Sequence, residues 1–182
     1  VLFRSAALTL NIFHKYTERV KMANIAQVVN VLQSMILTDT KGTGHMVLTP
    51  TYHVFKMYRD FQEATYLPVD LQTAVYPHAD GQENIPEVSI SAARKADGSI
   101  VVALANVMLD KAREVKVNLD GMGAKAVKTA TGSILTSKKI NDYNDFEHPD
   151  VVKPQAFNDA KVKKNTLMVK IPAKSIVVLN LK

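Results

Sequence analysis

Cysteine and tryptophan are both absent from this chain. Without cysteine there is no disulfide and no thiolate metal site, and the redox compartment stays open. No apolar run approaches the length needed to span a bilayer, so a membrane partner is not expected. The first residues show no basic leader followed by an apolar stretch and a small-residue cleavage site; the compartment is unknown on sequence grounds. Internal repeats and low-complexity tracts are also missing. The 182 residues are 47% hydrophobic and 22% charged, a globular composition with room for one domain, or for a small domain plus a piece of another. Net charge is +6. The lysines are scattered, and their densest cluster, Lys161, Lys163 and Lys164, is short. No basic helix and no aromatic platform accompanies it, which reads as a solvated face with no nucleic-acid partner.

Chemistry-bearing motifs are equally scarce. There is no glycine-rich phosphate loop, no nucleophile elbow and no metal cluster, so no cofactor is implied. Between Lys138 and Asn158, Asp142, Asp145, Glu147, His148 and Asp150 raise two possibilities. An EF-hand calcium loop would need a glycine at its sixth position, and none is there. A glycosidase pair would need two carboxylates about 5 to 9.5 Å apart across a sugar pocket. The stretch reads better as a long loop stiffened by His148-Pro149 and Lys153-Pro154. His53, on a helix without a carboxylate or second His at i+4, reads as a packing residue. The sequence therefore predicts no metal site.

The segment Arg19 to Asp39 is the most informative. Arg19-Val20-Lys21-Met22 alternates as a short strand would. Ile25, Val28, Val29, Leu32, Met35 and Ile36 then recur at helical spacing. Asn24, Gln27 and Asn30 sit in this otherwise apolar stretch. Amides donate and accept hydrogen bonds but are not acids, bases or nucleophiles at neutral pH. They can grip a neutral ligand such as a sugar hydroxyl, or they can pin backbone; the pattern leaves both open.

On either side, Ala6, Ala7, Leu8, Leu10, Ile12 and Phe13 give a helix apolar on much of its surface, which implies contact on more than one side. Asp39 to His45 is a polar, glycine-bearing loop. Thr49 and Pro50 open a second helix as N-cap and first residue, with Tyr52, Phe55, Met57 and Tyr58 along it. After Leu67 the pattern becomes β. Val88, Ile90 and Ala92 alternate, as do Ile100, Val102 and Leu104, with Asp97-Gly98 between them as a type I′ hairpin turn. Val115 to Leu119, Val127 to Thr129, Leu167 to Ile171 and Ile176 to Leu181 add strands. Such spacing predicts an antiparallel sandwich.

Four stretches carry a resemblance. Val20 to Asn30, Leu48 to Tyr58, Ile140 to Pro149 and Pro172 to Leu179 resemble, in the same order, the C-terminal part of the α-L-arabinofuranosidases of glycoside hydrolase family 51, a likeness that runs from about Ala6 to the end. The fold this implies is mixed α and β: residues 1–61 as the terminal strand and helices of a (β/α)8 barrel, then residues 62–182 as a jelly-roll-like β-sandwich. Val1 to Ser5 depart from the family and read as foreign to it. The resemblance implies retaining hydrolysis of terminal α-L-arabinofuranosyl groups by two glutamates that lie upstream, so no catalytic residue is assigned in this chain. It implies Gln27 as a sugar-binding glutamine, with Asn24 and Asn30 as supports, and places the start of the second helix near the sugar. The expected partners are arabinofuranosyl-containing glycans and the upstream barrel, with a homo-oligomer left open. The competing reading is a non-catalytic sandwich that packs on, or binds carbohydrate for, another domain. Against it, the aromatics Tyr52, Phe55, Tyr58, Phe61 and Tyr66 cluster early rather than on the later strands.

Overall fold

A computed structural model describes residues 2–76, 85–120 and 127–182. The chain opens with helix α1 (Leu2–Lys15), passes through an irregular segment, and forms a small hairpin of β1 (Ile36–Thr38) and β2 (Met46–Leu48). Helix α2 (Pro50–Tyr58) follows and tightens into a 3-10 turn over Arg59–Phe61. The remaining strands are β3 (Thr65–Leu67), β4 (Val75–Tyr76), β5 (Ile85–Pro86), β6 (Val88–Arg94), β7 (Ile100–Asn106), β8 (Arg113–Asn118), β9 (Ala130–Leu135), β10 (Gln155–Phe157), β11 (Ala160–Lys163), β12 (Thr166–Ile171) and β13 (Ser175–Leu181).

Two antiparallel sheets build the sandwich. The larger runs β10-β9-β13-β7-β6-β3 and the smaller β11-β12-β8. Their facing side chains form one core: Ile100, Val102, Leu104, Val177, Leu179 and Leu181 from the large sheet meet Leu167, Val169 and Ile171 from the small one. Opposite sides of the same strands supply a second core. There Ala93, Val101, Ala103, Ala105, Ile176 and Val178 pack under Phe3 and Ala7 of α1 and Val54, Tyr58 and Phe61 of the α2 region. The molecule is therefore three layers deep, and β7 is buried along its whole length. A strand covered on both faces reads as a continuous apolar run. The alternation expected for Ile100, Val102 and Leu104 described only one of its two buried faces.

The helix-facing side of the sheet is built from small residues. Ser89, Ser91, Ala93, Ala103 and Ala105 let α1 come close, and the contact is keyed by polar pairs. Asn11 Nδ2 donates to Ser89 Oγ at 3.0 Å, and His14 Nδ1 lies 2.9 Å from Ser91 Oγ. Tyr58 donates its hydroxyl to Asn11 Oδ1 at 2.9 Å. The wide apolar surface of α1 thus has two neighbours, the sheet and α2. Gly132 on β9 is required by an equally close approach: a Cβ there would lie 2.2 Å from the Val178 carbonyl oxygen.

Three expectations are corrected. Arg19 to Met22 forms no strand. A parallel barrel strand needs a hydrogen-bonded neighbour on each side, and the described residues contain none for it. The helix that the apolar period would extend from Ile25 to Leu37 does not form either, whereas the family resemblance suggests an irregular loop first. Asn30 and Gln33 take positive φ (53° and 64°), and Ile36 to Leu37 already belong to β1. Finally, the Asp97-Gly98 turn is not type I′. Only Gly98 has positive φ (84°), and Lys95 N donates to Ser99 O while Gly98 N donates to Lys95 O. That is a type I turn closed by a glycine bulge, the usual three-residue hairpin loop. Asp97 steadies it by accepting from the backbone N–H and the hydroxyl of Ser99. These bonds hold its carboxyl below the ordinary range, the hydroxyl contributing most.

Candidate functional site

The irregular segment between α1 and β1 carries all three candidate amides, and the structure gives them different surroundings. Asn30 is committed to its own loop. Its Nδ2 donates to Thr38 Oγ1 and its Oδ1 accepts from Thr38 N, both at 2.8 Å. Its backbone N–H donates to Ile36 O at 3.1 Å. Positive φ is tolerated by asparagine better than by most residues, so Asn30 can turn the chain while clasping β1. Asn24 is exposed, with Nδ2 directed at Met22 Sδ, 3.3 Å away. Gln27 is exposed, and its side chain has no hydrogen-bond partner among the described residues. Of the three, Gln27 is the one whose amide is free to meet a ligand.

The backbone around Gln27 is nevertheless anchored. Ile36 N donates to Val28 O at 3.0 Å, and Val29 bridges Ile36 in parallel. Buried Ser34 is tied to the N-cap of α2, because Thr49 Oγ1 donates to Ser34 O at 2.9 Å and Thr49 N donates to Met35 O at 3.0 Å. Thr49 also accepts from Tyr52 N, as its N-cap position predicts. One step further out stands Asn144, 3% exposed in the long loop before β10. Its Nδ2 donates to Leu48 O at 2.8 Å and to Val152 O at 2.9 Å, while Val152 N donates to its Oδ1 at 2.8 Å. Hence the Gln27 loop hangs from α2 and β2, and these are locked to the sandwich through Asn144. Sequence reading passed over Asn144, since a buried asparagine in a loop looks like any other loop asparagine.

The loop between β1 and β2 is organised by Asp39, which accepts from the backbone N–H groups of Lys41, Thr43 and His45 and from the Thr43 hydroxyl. The hydroxyl bond is the main reason its carboxyl drops to about 2.

Elsewhere the acidic residues serve the chain locally. Asp142 accepts from Lys139 N, Asp145 from His148 N, and Asp150 pairs with Lys153 at 2.9 Å. The 138–158 stretch is irregular up to β10, its last strand-forming part. Among the described residues no group of three histidine or acidic side chains is placed to hold a metal. His53 is buried, and its Nε2 lacks a partner among them. Burial pushes its pKa down, with Lys56 adding to the effect. It borders a cleft of about 700 Å³ with Lys56, Arg59, Ser133, Asp150 and Lys153. None of Asn24, Gln27 and Asn30 lines this cleft.

Comparison with known proteins is decisive about kinship. The family described as "Alpha-L-arabinofuranosidase C-terminal domain" matches residues 4–175. The chain is 53% identical over 176 residues to an intracellular exo-α-L-arabinofuranosidase of Bacteroides ovatus, covering 97% of this chain and 33% of that protein. The GH51 arabinofuranosidase of Xanthomonas axonopodis pv. citri superposes with a TM-score of 0.89 at 45% identity, over 97% of this chain and 34% of the other. The thermostable GH51 enzyme of Thermotoga petrophila RKU-1 gives 0.81 at 23% identity, over 99% of this chain and 38% of its own, and at that identity speaks for the fold alone. The chain spans about a third of the length of these relatives.

Proposed function

The chain belongs to the α-L-arabinofuranosidase C-terminal domain family, and we propose that it is the closing third of a retaining enzyme that removes terminal α-L-arabinofuranosyl groups from arabinose-containing glycans. The observation that carries this reading is the 53% identity maintained over 97% of the chain. In this reading residues 1–61 complete a (β/α)8 barrel and residues 62–182 are the attached sandwich. Arg19 to Met22, unpaired here, would become the last barrel strand once neighbours from the upstream two thirds lie beside it. Active sites of such barrels lie at the C-terminal ends of the strands, which puts Gln27 beside the substrate.

The upstream part would supply the two carboxylic acids of a retaining mechanism. One protonates the leaving oxygen, while the other attacks the anomeric carbon to form a glycosyl-enzyme that water then hydrolyses. The residues of this chain would bind and orient. Gln27 offers one amide donor pair and one acceptor to neighbouring sugar hydroxyls, bonds that speed the reaction to the extent that they tighten in the transition state. Asn24 stands close in sequence as a weaker candidate contact. Asn30 would act at one remove, by holding the curve of the loop on which Gln27 rides.

The test is hydrolysis of an aryl α-L-arabinofuranoside. The 182-residue chain alone should be inactive and the longer enzyme active, and Gln27→Ala in the latter should lower kcat/KM by roughly ten- to a few hundred-fold, at about 1.4 kcal/mol per decade. Turnover by the short chain, or unchanged kinetics in Gln27→Ala, would overturn the corresponding part.

A further inference from the structure

The sequence shows a short lysine cluster at Lys161, Lys163 and Lys164, and the strand register turns it into part of a surface. In the small sheet Lys161 of β11 pairs with Met168 of β12, which pairs with Lys116 of β8. One row along, Lys163 pairs with Thr166 and that with Asn118. In the other direction Lys170 stands opposite Glu114. Val115, Val117, Leu167 and Val169 face the core, so by strand alternation these rows point outward. Lys116, Lys161, Lys163, Met168 and Lys170 are all exposed. Lys116 lies 45 residues before Lys161 in sequence, yet the four lysines fall within a patch about two strand spacings wide, roughly 10 Å. None of the four has an ion-pair partner among the described residues, and Glu114 is the one acidic side chain on the face. Asp120 and Asp159 lie at its margins.

We propose that this face is a docking surface for a uronate-containing glycan. The charge pattern selects the partner. Lysine ammonium groups are compact point charges, suited to carboxylates distributed one per sugar along a chain. The face carries no aromatic ring on which a base could stack, the feature that single-stranded nucleic-acid surfaces rely on. Met168 at the centre offers an apolar contact for the C–H face of a sugar ring between two ammonium groups. Lys116, Lys161, Lys170 and Met168 also border a cleft of about 1280 Å³ lined by the small sheet, the 67–74 segment, β6 and β7, which holds Arg94 and Arg113 but also Asp70, Glu87, Asp120 and Asp159; the docking surface is therefore the lysine-bearing face and not the cleft. The arabinose-bearing identity of the glycan rests on the function proposed above; the affinity for uronate does not. The role is capture: an acidic backbone held on the sandwich would keep its arabinosyl branches near the catalytic end of the same molecule, an effective-concentration gain.

The experiment is calorimetric titration of the longer enzyme with oligogalacturonate, beside neutral arabinan as control. Binding is expected at low ionic strength and should weaken about tenfold or more when salt rises to a few tenths molar, as screening shortens the reach of exposed charges. Lys116→Glu combined with Lys161→Glu should lower affinity for oligogalacturonate at least about tenfold, by replacing attraction with repulsion. The same variant should keep wild-type turnover of an aryl arabinofuranoside, which also certifies its fold. Lys163→Gln combined with Lys170→Gln should give a smaller loss in the same direction. Unchanged affinity in the charge-reversal variant would overturn the proposal. Equal or tighter binding of duplex DNA or anionic vesicles through the same lysines would also overturn it, in favour of those partners. If the longer enzyme fails to cleave the aryl substrate, the function proposed above falls, while the titration, with the variant's fold then checked by its melting temperature, still decides the docking surface.

Discussion

Asn144 donates its side-chain amide to the carbonyl of Leu48 at 2.8 Å, joining residues 96 positions apart. Because the same side chain also closes the loop to Val152 from both its ends, it acts as a rivet between the sandwich and the strand that leads into α2. Removing it strands buried donors and acceptors, which costs about 1–3 kcal/mol. Asn144→Ala should therefore lower stability by about 2 to 3 kcal/mol in denaturant titration. Asn144→Asp should be no milder, since a carboxylate cannot donate to two carbonyls. A loss below about 0.5 kcal/mol would show that water replaces the amide without strain.

Asn30 and Gln27 lie three residues apart but should respond to different measurements. Thr38 N donates to Asn30 Oδ1, so Asn30→Ala should expose the Thr38 amide to exchange with solvent. The positive φ adds roughly 1 kcal/mol of local strain for alanine. Asn30→Gly would remove the bond but not add the strain. Gln27→Ala should leave Thr38 protection untouched. Hydrogen exchange at Thr38 in the three variants distinguishes a residue that holds the loop from one that the loop merely carries.

What could be read from the sequence followed from local rules, and what could not depended on neighbours. Thr49-Pro50 announced α2 because capping is a local transaction between a side chain and the next turn. Asp97-Gly98 announced a hairpin, though its type was set by a loop of three residues rather than two. The strands β6, β7, β8, β12 and β13 were visible as alternating or apolar runs, but the second buried face of β7 was not, because the helices that cover it come from elsewhere in the chain. β10 and β11 are short, and β11 exposes lysine at every second position, so neither made a convincing apolar pattern. Between Arg19 and Leu37 the apolar period alone suggested a strand and then a helix, neither of which forms, while the family resemblance suggests an irregular loop before any helix. Met22, Val28, Val29, Val31 and Leu32 are in fact exposed here, Leu32 to 82%. Gln27 stood out through family likeness and not through its period or its position in a predicted element.

His14 is expected to make the chain acid-sensitive. Its ring stacks on Phe61 at 4.3 Å and faces Ser91, and Tyr58 lies alongside. Burial lowers its pKa from 6.5 to about 4. The unfolded chain then binds the proton more readily than the folded one, so the native state favours neutral imidazole. Its stabilising contribution is complete above about pH 6.5, and is lost progressively as pH falls toward 4. His14→Gln, which keeps a partner for Ser91 but cannot titrate, should flatten the melting-temperature profile between those limits. An identical slope in wild type and variant would assign the acid sensitivity to other groups.

Gly132 tests how tightly β9 is packed. Alanine there would put its methyl 2.2 Å from Val178 O and 2.7 Å from Leu179 Cδ2. Leu179 can adjust, but the Val178 carbonyl belongs to β13, which pairs on both sides within the large sheet. Overpacking of a core costs about 1–3 kcal/mol when side chains can yield, and here backbone must yield as well. Gly132→Ala should cost about 3 kcal/mol or more by denaturation. A neutral result would mean that β9 slides relative to β13 without breaking its register.

The last prediction concerns how the chain comes apart under protease. A separable barrel piece would leave as soon as it was cut, yet α1 is not loose: Phe3 and Ala7 are 2% and 0% exposed in the second core, and Asn11 is held by Ser89 and Tyr58. The weak point lies after it. Arg19 and Lys21 are exposed, and the backbone from Val20 to Ile25 belongs to no helix or strand, so its opening requires little disruption of hydrogen bonding. Brief trypsin treatment should nick the chain at Arg19 or Lys21, while the α1 peptide stays bound through gel filtration and leaves only under denaturant. Asn11→Ala should release the nicked peptide more readily, because the Tyr58 hydroxyl then loses its nearer acceptor and keeps only the longer contact to Ala7 O at 3.5 Å. Immediate loss of the peptide from the nicked wild type would show that α1 needs covalent attachment to remain on the sheet.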